Sequence, residues 1–125
     1  MSASVDIGFN GNCEEAFEFY AANLNGKIGS IFREGASENG KVVHGDIVLH
    51  GLTITGGDAP KDQYKPPQGV FLLLSGLDET TVKNYFQLLL KDGISIMEPQ
   101  KTFFSSCYAM VIDKFGVQWK LNSGT

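Results

Sequence analysis

His44, Asp46 and His50 lie in a stretch, residues 42–50, whose side chains alternate as in a β-strand. Strand parity puts these three on one face with Val48, and Val43, Gly45, Ile47 and Leu49 on the other. His44 and Asp46 are neighbours on that face. Such a pair suits general acid–base work, because histidine titrates near neutrality and a carboxylate orients and charges it. The competing reading is a polar strand face bonded to its own neighbours, as paired titratable groups often are. His50 stands beside Gly51 at an expected turn, and strand rise carries it too far from His44 for the two to share an ion without a bend.

A second set lies near the C-terminus. Parity separates Val117, Trp119 and Leu121 from Gln118, Lys120 and Asn122. The second group is a polar lining of the kind small-ligand sites use. Lys120 could pair with an anionic ligand, or with Asp46 or Glu98. Phe103, Phe104, Tyr108 and Met110 add an aromatic-rich group, some of which core packing accounts for. Cys107 would need a depressed pKa and a neighbouring base to act as a nucleophile. Burial is the better expectation for it, and the apolar spacing of Cys13 points to the core as well.

The elements that must hold these residues can be read in order. Residues 5–10 form a first strand. Asn12 is placed to cap a helix, with Glu15 three residues on as in a capping box, and Glu14 and Glu15 complement the positive helix end. Cys13, Phe17, Tyr20 and Leu24 make one apolar face, and Gly26 is expected to end the helix in the left-handed conformation. Strands follow at 27–33, 42–50 and 52–55, the first two joined by a hairpin through Gly35, Asn39 and Gly40, where Asn-Gly is a strong turn signal. Residues 59–69 hold three of the four prolines and read as a loop. A second set then begins with a strand at 70–74. A helix capped by Asp78 or Ser75 follows, with Val82, Tyr85, Phe86 and Leu89 inward and Gly93 as its stop. Strands come next at 94–97, 108–113 and 117–122, with Pro99 marking a turn.

The same order of strand, helix and three strands thus occurs twice, at a separation of about 66 residues, which indicates one module used twice. Phe19-Tyr20 and Tyr85-Phe86 hold equivalent places. A single βαβββ unit leaves its sheet half-covered. The expectation is an α+β domain of two paired βαβββ modules, about 4–58 and 70–123, with curved mixed sheets enclosing a cleft.

Composition narrows the function classes. The chain has 125 residues, 42% apolar and 19% charged, as in a globular protein able to bury a core. A net charge of −4 and scattered basic residues argue against a nucleic-acid partner. No apolar run approaches the ~20 residues needed to span a bilayer, and no signal peptide is visible. Two cysteines without close pairing fit free thiols and a cytoplasmic location.

The segment Asn10-Gly11-Asn12-Cys13-Glu14-Glu15-Ala16-Phe17-Glu18-Phe19-Tyr20 resembles the first-helix signature of the vicinal-oxygen-chelate superfamily (glyoxalase, bleomycin-resistance and extradiol dioxygenase proteins), and most closely its PhnB-like branch. Val43-His44-Gly45-Asp46, Gln100-Lys101-Thr102-Phe103 and Asp113-Lys114-Phe115-Gly116-Val117-Gln118-Trp119 fit the same branch, in order along nearly the whole chain. The resemblance implies a glyoxalase-like fold, often in two associated chains. In many relatives it also implies a divalent metal held by His, Glu or Gln. Aligned to the helix motif, the ligand positions fall near Val5, near Val70 and on Lys120, none of which can ligate. Only His44 or the nearby Asp46 keeps ligand chemistry, and one or two ligands do not make a zinc or manganese site. The branch usually has Trp-Gly where this chain has Phe104-Ser105, and Gly where it has Ala109, which reshapes the cleft.

The resulting expectation is a cytoplasmic, homodimeric protein that binds an unidentified small molecule through His44, Asp46, Phe103, Tyr108, Gln118 and Lys120, with no cofactor. A divalent-metal-dependent lyase or dioxygenase using His44 is the alternative, and a structural or interaction module is a third.

Overall fold

The computed structural model describes residues 1–35 and 40–124. Asn39 of the expected Asn-Gly turn lies outside the described residues. The chain forms two compact units, Met1–Pro66 and Pro67–Thr125.

The first unit runs β1 (Val5–Phe9), α1 (Cys13–Asn23), β2 (Lys27–Arg33), β3 (Val42–Leu49) and β4 (Leu52–Asp58). Its four-stranded sheet has the order β1-β4-β3-β2. β1 lies parallel to β4, from Val5↔Ile54 to Phe9↔Asp58, and the other pairs are antiparallel. The second unit repeats this with β5 (Leu72–Leu74), α2 (Glu79–Leu90), β6 (Ile94–Gln100), β7 (Tyr108–Ile112) and β8 (Gln118–Asn122). Its order is β5-β8-β7-β6, with β5 parallel to β8. Two mixed sheets, each with one helix, make an α+β architecture in which the expected βαβββ order occurs twice.

Each helix covers one face of its own sheet. In α1 the expected apolar face is realised: Cys13, Phe17 and Tyr20 are buried with Ala16, and Leu24 follows just beyond the helix. Phe17 meets Phe9 of β1 edge-on, ring centroids 5.8 Å apart. In α2, Val82, Phe86 and Leu89 are buried, whereas Tyr85, expected with them, is only half-buried. Fully burying a side chain of this size contributes about 1.5–3 kcal/mol, so these few residues account for most of each helix's attachment.

The helix ends depart from expectation in one consistent way. Gly26 and Gly93 are not the left-handed residues; Asn25 (φ 61°) and Asp92 (φ 58°), one place earlier, are. Asn and Asp tolerate this region better than other side chains. The glycines serve close approach instead. A Cβ on Gly26 would come 3.0 Å from Ile47 Cδ1, and one on Gly93 would stand 2.3 Å from the Ile112 carbonyl oxygen. At the N-terminus of α1, Asn12 occupies the cap position but its side chain makes no cap hydrogen bond. The Cys13 N–H donates instead to Asp58 Oδ1 from the end of β4, at 2.9 Å. Of the two caps considered for α2, Asp78 is used, accepting from the Thr81 N–H at 2.7 Å.

Three strand assignments are also corrected. Val43 is 64% exposed, not inward, because the β2–β3 register shifts between Phe32 and Arg33, leaving Val43 unpaired while Val42 turns inward. Pro99 does not end β6; it lies within the strand, tolerated because β6 is a sheet edge. The second unit's first strand starts at Leu72, and Val70 before it is exposed. Among the described residues no helix is long and apolar enough to cross a membrane.

Candidate functional site

With a helix on one face, each sheet presents its other face openly, and the candidate residues distribute over these two open faces. On the first unit, strand register lines up Asp6, Thr55 and Asp46 across β1, β4 and β3. The Thr55 hydroxyl donates to Asp6 Oδ1 at 2.6 Å. Asp46 Oδ1 accepts the Ser30 N–H at 3.0 Å, at the irregularity in β2 between Ile28 and Ile31. Gly29 makes room for this carboxylate, since a Cβ there would stand 2.2 Å from Asp46 Oδ2. Asp46 therefore holds a bulge in place.

His44 is exposed and stacks on Phe32, its register partner, with centroids 6.5 Å apart and planes 28° from parallel. Among the described residues no hydrogen bond joins His44 to Asp46. His50 (φ 49°) and Gly51 (φ 79°) form the two-residue turn between β3 and β4, the pair of positive φ values that such hairpins need. His50 is exposed there.

On the second unit, Lys120 of β8 lies between Leu73 of β5 and Met110 of β7 in register. Its Nζ sits 4.8 Å from the centre of the Phe71 ring. Gln118, two residues before, donates from Nε2 to the Val70 carbonyl at 3.1 Å. Tyr108 on β7 packs edge-on against Phe104, centroids 4.8 Å apart, and Phe104 in turn meets Phe103 at 5.1 Å. Phe103 is fully exposed and Phe104 is 53% exposed, so neither belongs to the core. Lys120, Gln118, Tyr108 and Met110 are half-buried. Asn122, expected among the polar lining, is buried and donates to Ser75 Oγ at 3.4 Å. Phe71 is the residue of this group that parity along β8 and β7 did not single out. Its only signal was its place ahead of the apolar run 72–74.

A hollow of about 300 Å³ lies in the first unit at the start of α1, lined by Asn12, Glu14, Lys41 and Asp58 among others. Its acidic groups are already used. Asp58 accepts backbone N–H groups on both oxygens, from Cys13 and from Val42 at 3.0 Å, and Glu14 forms an ion pair with Arg33. Asn12 Oδ1 is buried there without a hydrogen-bond partner.

Neither Cys13 nor Cys107 carries an activated thiol. Both are free and buried. Burial first, and then the negative charges of Asp58, Glu14 and Asp6, push the Cys13 thiol up to about 12. Burial also raises the Cys107 thiol, with Lys83 opposing it. A thiol held protonated is inert.

The described residues do not fit a divalent metal either: among them no three His, Cys, Asp or Glu side chains converge on one point. At the positions where the resemblance would place ligands, Val5 and Val70 carry aliphatic side chains and Lys120 an ammonium.

Residues 3–122 match the family model described as 3-demethylubiquinone-9 3-methyltransferase. The chain is 26% identical to Protein YjdN of Escherichia coli (strain K12), over 98% of this chain and 95% of that protein. It is 25% identical to a PhnB protein from Bacillus cereus, described as a 3-demethylubiquinone-9 3-methyltransferase, whose solved structure superposes with a TM-score of 0.86 over 98% of each chain. The fosfomycin resistance protein FosX from Listeria monocytogenes, complexed with Mn(II) and sulfate ion, has a TM-score of 0.70 at 10% identity, over all of this chain and 90% of that one. At that identity the likeness is one of fold.

Proposed function

The chain belongs to this family, the PhnB-like branch of the vicinal-oxygen-chelate superfamily, and from that membership we propose that it binds a small organic molecule without a tightly held metal. The observation that carries the reading is on the second unit's open sheet face. There Lys120, Gln118 and Tyr108 bring a few polar groups to an otherwise apolar surface of Phe71, Leu73 and Met110. Few polar groups on apolar walls are the usual make-up of a small-molecule site, the walls giving affinity and the polar atoms orientation. Phe103 and Phe104 extend the apolar surface beyond Tyr108. The transfer chemistry in the family's description is no part of this reading, because family and fold do not carry an activity by themselves.

His44 and Asp46 enter the reading with unequal weight. Asp46 is occupied in supporting β2, whereas His44 is exposed and available. The reading includes a homodimer in the cytoplasm, which sedimentation and cell fractionation check.

Metal dependence is the second reading, supported by the Mn(II) in the FosX structure and opposed by this chain's own side chains. Elemental analysis of protein purified without chelator separates the two: stoichiometric metal would overturn the proposal. The direct test is a thermal-shift screen of a chemically broad small-molecule set on the wild type and on Lys120→Ala. A saturable shift in the wild type, lost in the variant while its unliganded melting temperature is kept, is the expected result. No shift with any compound would overturn it.

A further inference from the structure

Resting on that reading, we infer that the second unit's open face is selective for a small carboxylate with a flat apolar body. The only charged group among Lys120, Gln118 and Tyr108 is a donor, and Gln118 and Tyr108 each add a free donor beside it, along with acceptor capacity of their own. The Lys120 ammonium has three N–H donors and, among the described residues, no protein acceptor; its recorded contact is with the Phe71 ring. Gln118 spends one N–H on Val70 and keeps the other. The Tyr108 hydroxyl has no hydrogen-bond partner among the described residues.

The charge is equally one-sided. No carboxylate of the described residues is in ion-pair contact with Lys120, while the first unit's open face carries Asp6 and Asp46. Lys120 is half-buried as a residue, and its ammonium meets a ring face but no counter-ion among the described residues. A carboxylate arriving there forms a charge-assisted bond, stronger than a neutral one. One ammonium balances one negative charge, which favours a monoanion over a phosphate ester of higher charge.

The shape of the surroundings determines the rest of the ligand. Leu73 and Met110 stand directly across from Lys120 on the neighbouring strands, with Cβ atoms typically about 5 Å away. The Phe71 ring lies against the ammonium and occupies one of its sides, so a ligand must approach from the side of Met110 and Tyr108. A flat apolar body there can lie over Met110 and against the aromatic rings of Tyr108 and Phe104, which are already packed edge-on. Such an arrangement rewards aromatic or planar groups.

The test uses benzoate, with benzamide as a neutral match of the same shape, titrated calorimetrically into the whole chain and followed by amide NMR. Benzoate is expected to bind saturably, to move amide signals of β5, β7 and β8, and to exceed benzamide by at least about tenfold, the factor expected from one charge-assisted bond. Lys120→Met, which keeps the apolar stem, should weaken benzoate by a similar factor and leave benzamide unchanged. Lys120→Arg should restore most of the affinity. Equal binding of benzoate and benzamide, undiminished binding to Lys120→Met, or no benzoate binding would each overturn the inference. If neutral or cationic compounds alone shift the melting temperature, small-molecule binding stands and carboxylate selectivity falls. If nothing binds, both fall.

Discussion

Asp113 Oδ2 accepts the indole N–H of Trp119 at 2.9 Å, and both residues are buried. The other oxygen, Oδ1, accepts the backbone N–H groups of Phe115 and Val117 at 2.9 and 3.0 Å. One carboxylate therefore shapes the β7–β8 turn and fixes the largest side chain of the second unit's core. Asp113→Ala would leave the indole N–H and two turn amides without this partner. Hydrogen bonds to a charged group are worth about 1.5–3 kcal/mol each, and their losses overlap when they share one partner. A total loss of about 3 kcal/mol or more is expected in urea unfolding. Asp113→Asn, which keeps one acceptor oxygen, should lose less.

The cap of α1 gives a crossed comparison. The carboxylate of Asp58 reaches the Cys13 N–H from a position 45 residues away in the chain, while Asn12 holds the cap position without a cap bond. Asp58→Ala should cost about 1–2 kcal/mol, as cap removal generally does, and Asn12→Ala less than about 0.5 kcal/mol. Equilibrium denaturation of the two variants side by side checks this. The reverse ranking would show that the side chain of Asn12 does the capping in solution.

Two glycines in equivalent places should respond unequally to one added methyl group. At Gly93 the new Cβ would meet backbone oxygens of Ile112 and Leu89 at 2.3 and 2.9 Å, and neither can move alone. At Gly26 the nearest atom is the end of the Ile47 side chain, at 3.0 Å, which can rotate. Gly93→Ala is expected to destabilise by about 3 kcal/mol or more and Gly26→Ala by about 1 kcal/mol, readable as melting-temperature shifts.

Cys13 sets a pH dependence. Its thiol is pushed from an ordinary 9.0 up to about 12, by burial first. Unfolded chains lose this proton at lower pH than folded ones, so between those two values the unfolded state binds fewer protons. Stability is accordingly unaffected by this group below pH 9 and falls as pH rises from there toward 12. Cys13→Ala should flatten that part of the stability–pH curve. Alkylation of Cys13 by iodoacetamide at pH 8 should be slow in the folded protein and fast in denaturant.

Much of the architecture was legible in the residues. The order of elements, the inward faces of α1 and of Val117, Trp119 and Leu121, and the βαβββ repeat follow from periodicities of 3.6 and 2, which local geometry imposes on any chain that buries one side. The resemblance of residues 10–20 to the first-helix signature anticipated the family. Legibility ended where an interaction joins distant segments. Asn12 looked like a cap because it sits beside the helix in sequence, but Asp58, brought there by the β1–β4 pairing, makes the bond. Val43 looked inward because alternation assumes an unbroken register, and a shift against β2 breaks it.

The candidate site divides the same way. The sequence alone put Gln118 and Lys120 on one face of β8 and Gly45, Ile47 and Leu49 on one face of β3, since alternation is local to a strand, but it misplaced Val43 and Asn122. It could not tell that Asp46 is occupied with Ser30 while Lys120 has only the Phe71 ring, because hydrogen-bond partners depend on which strands lie side by side. Tertiary structure decided that, through the pairing order β1-β4-β3-β2 and its repeat β5-β8-β7-β6. The physical reason is range: backbone periodicity acts over a few residues, whereas satisfying a charge or a donor draws on whatever atoms the fold brings within about 3 Å.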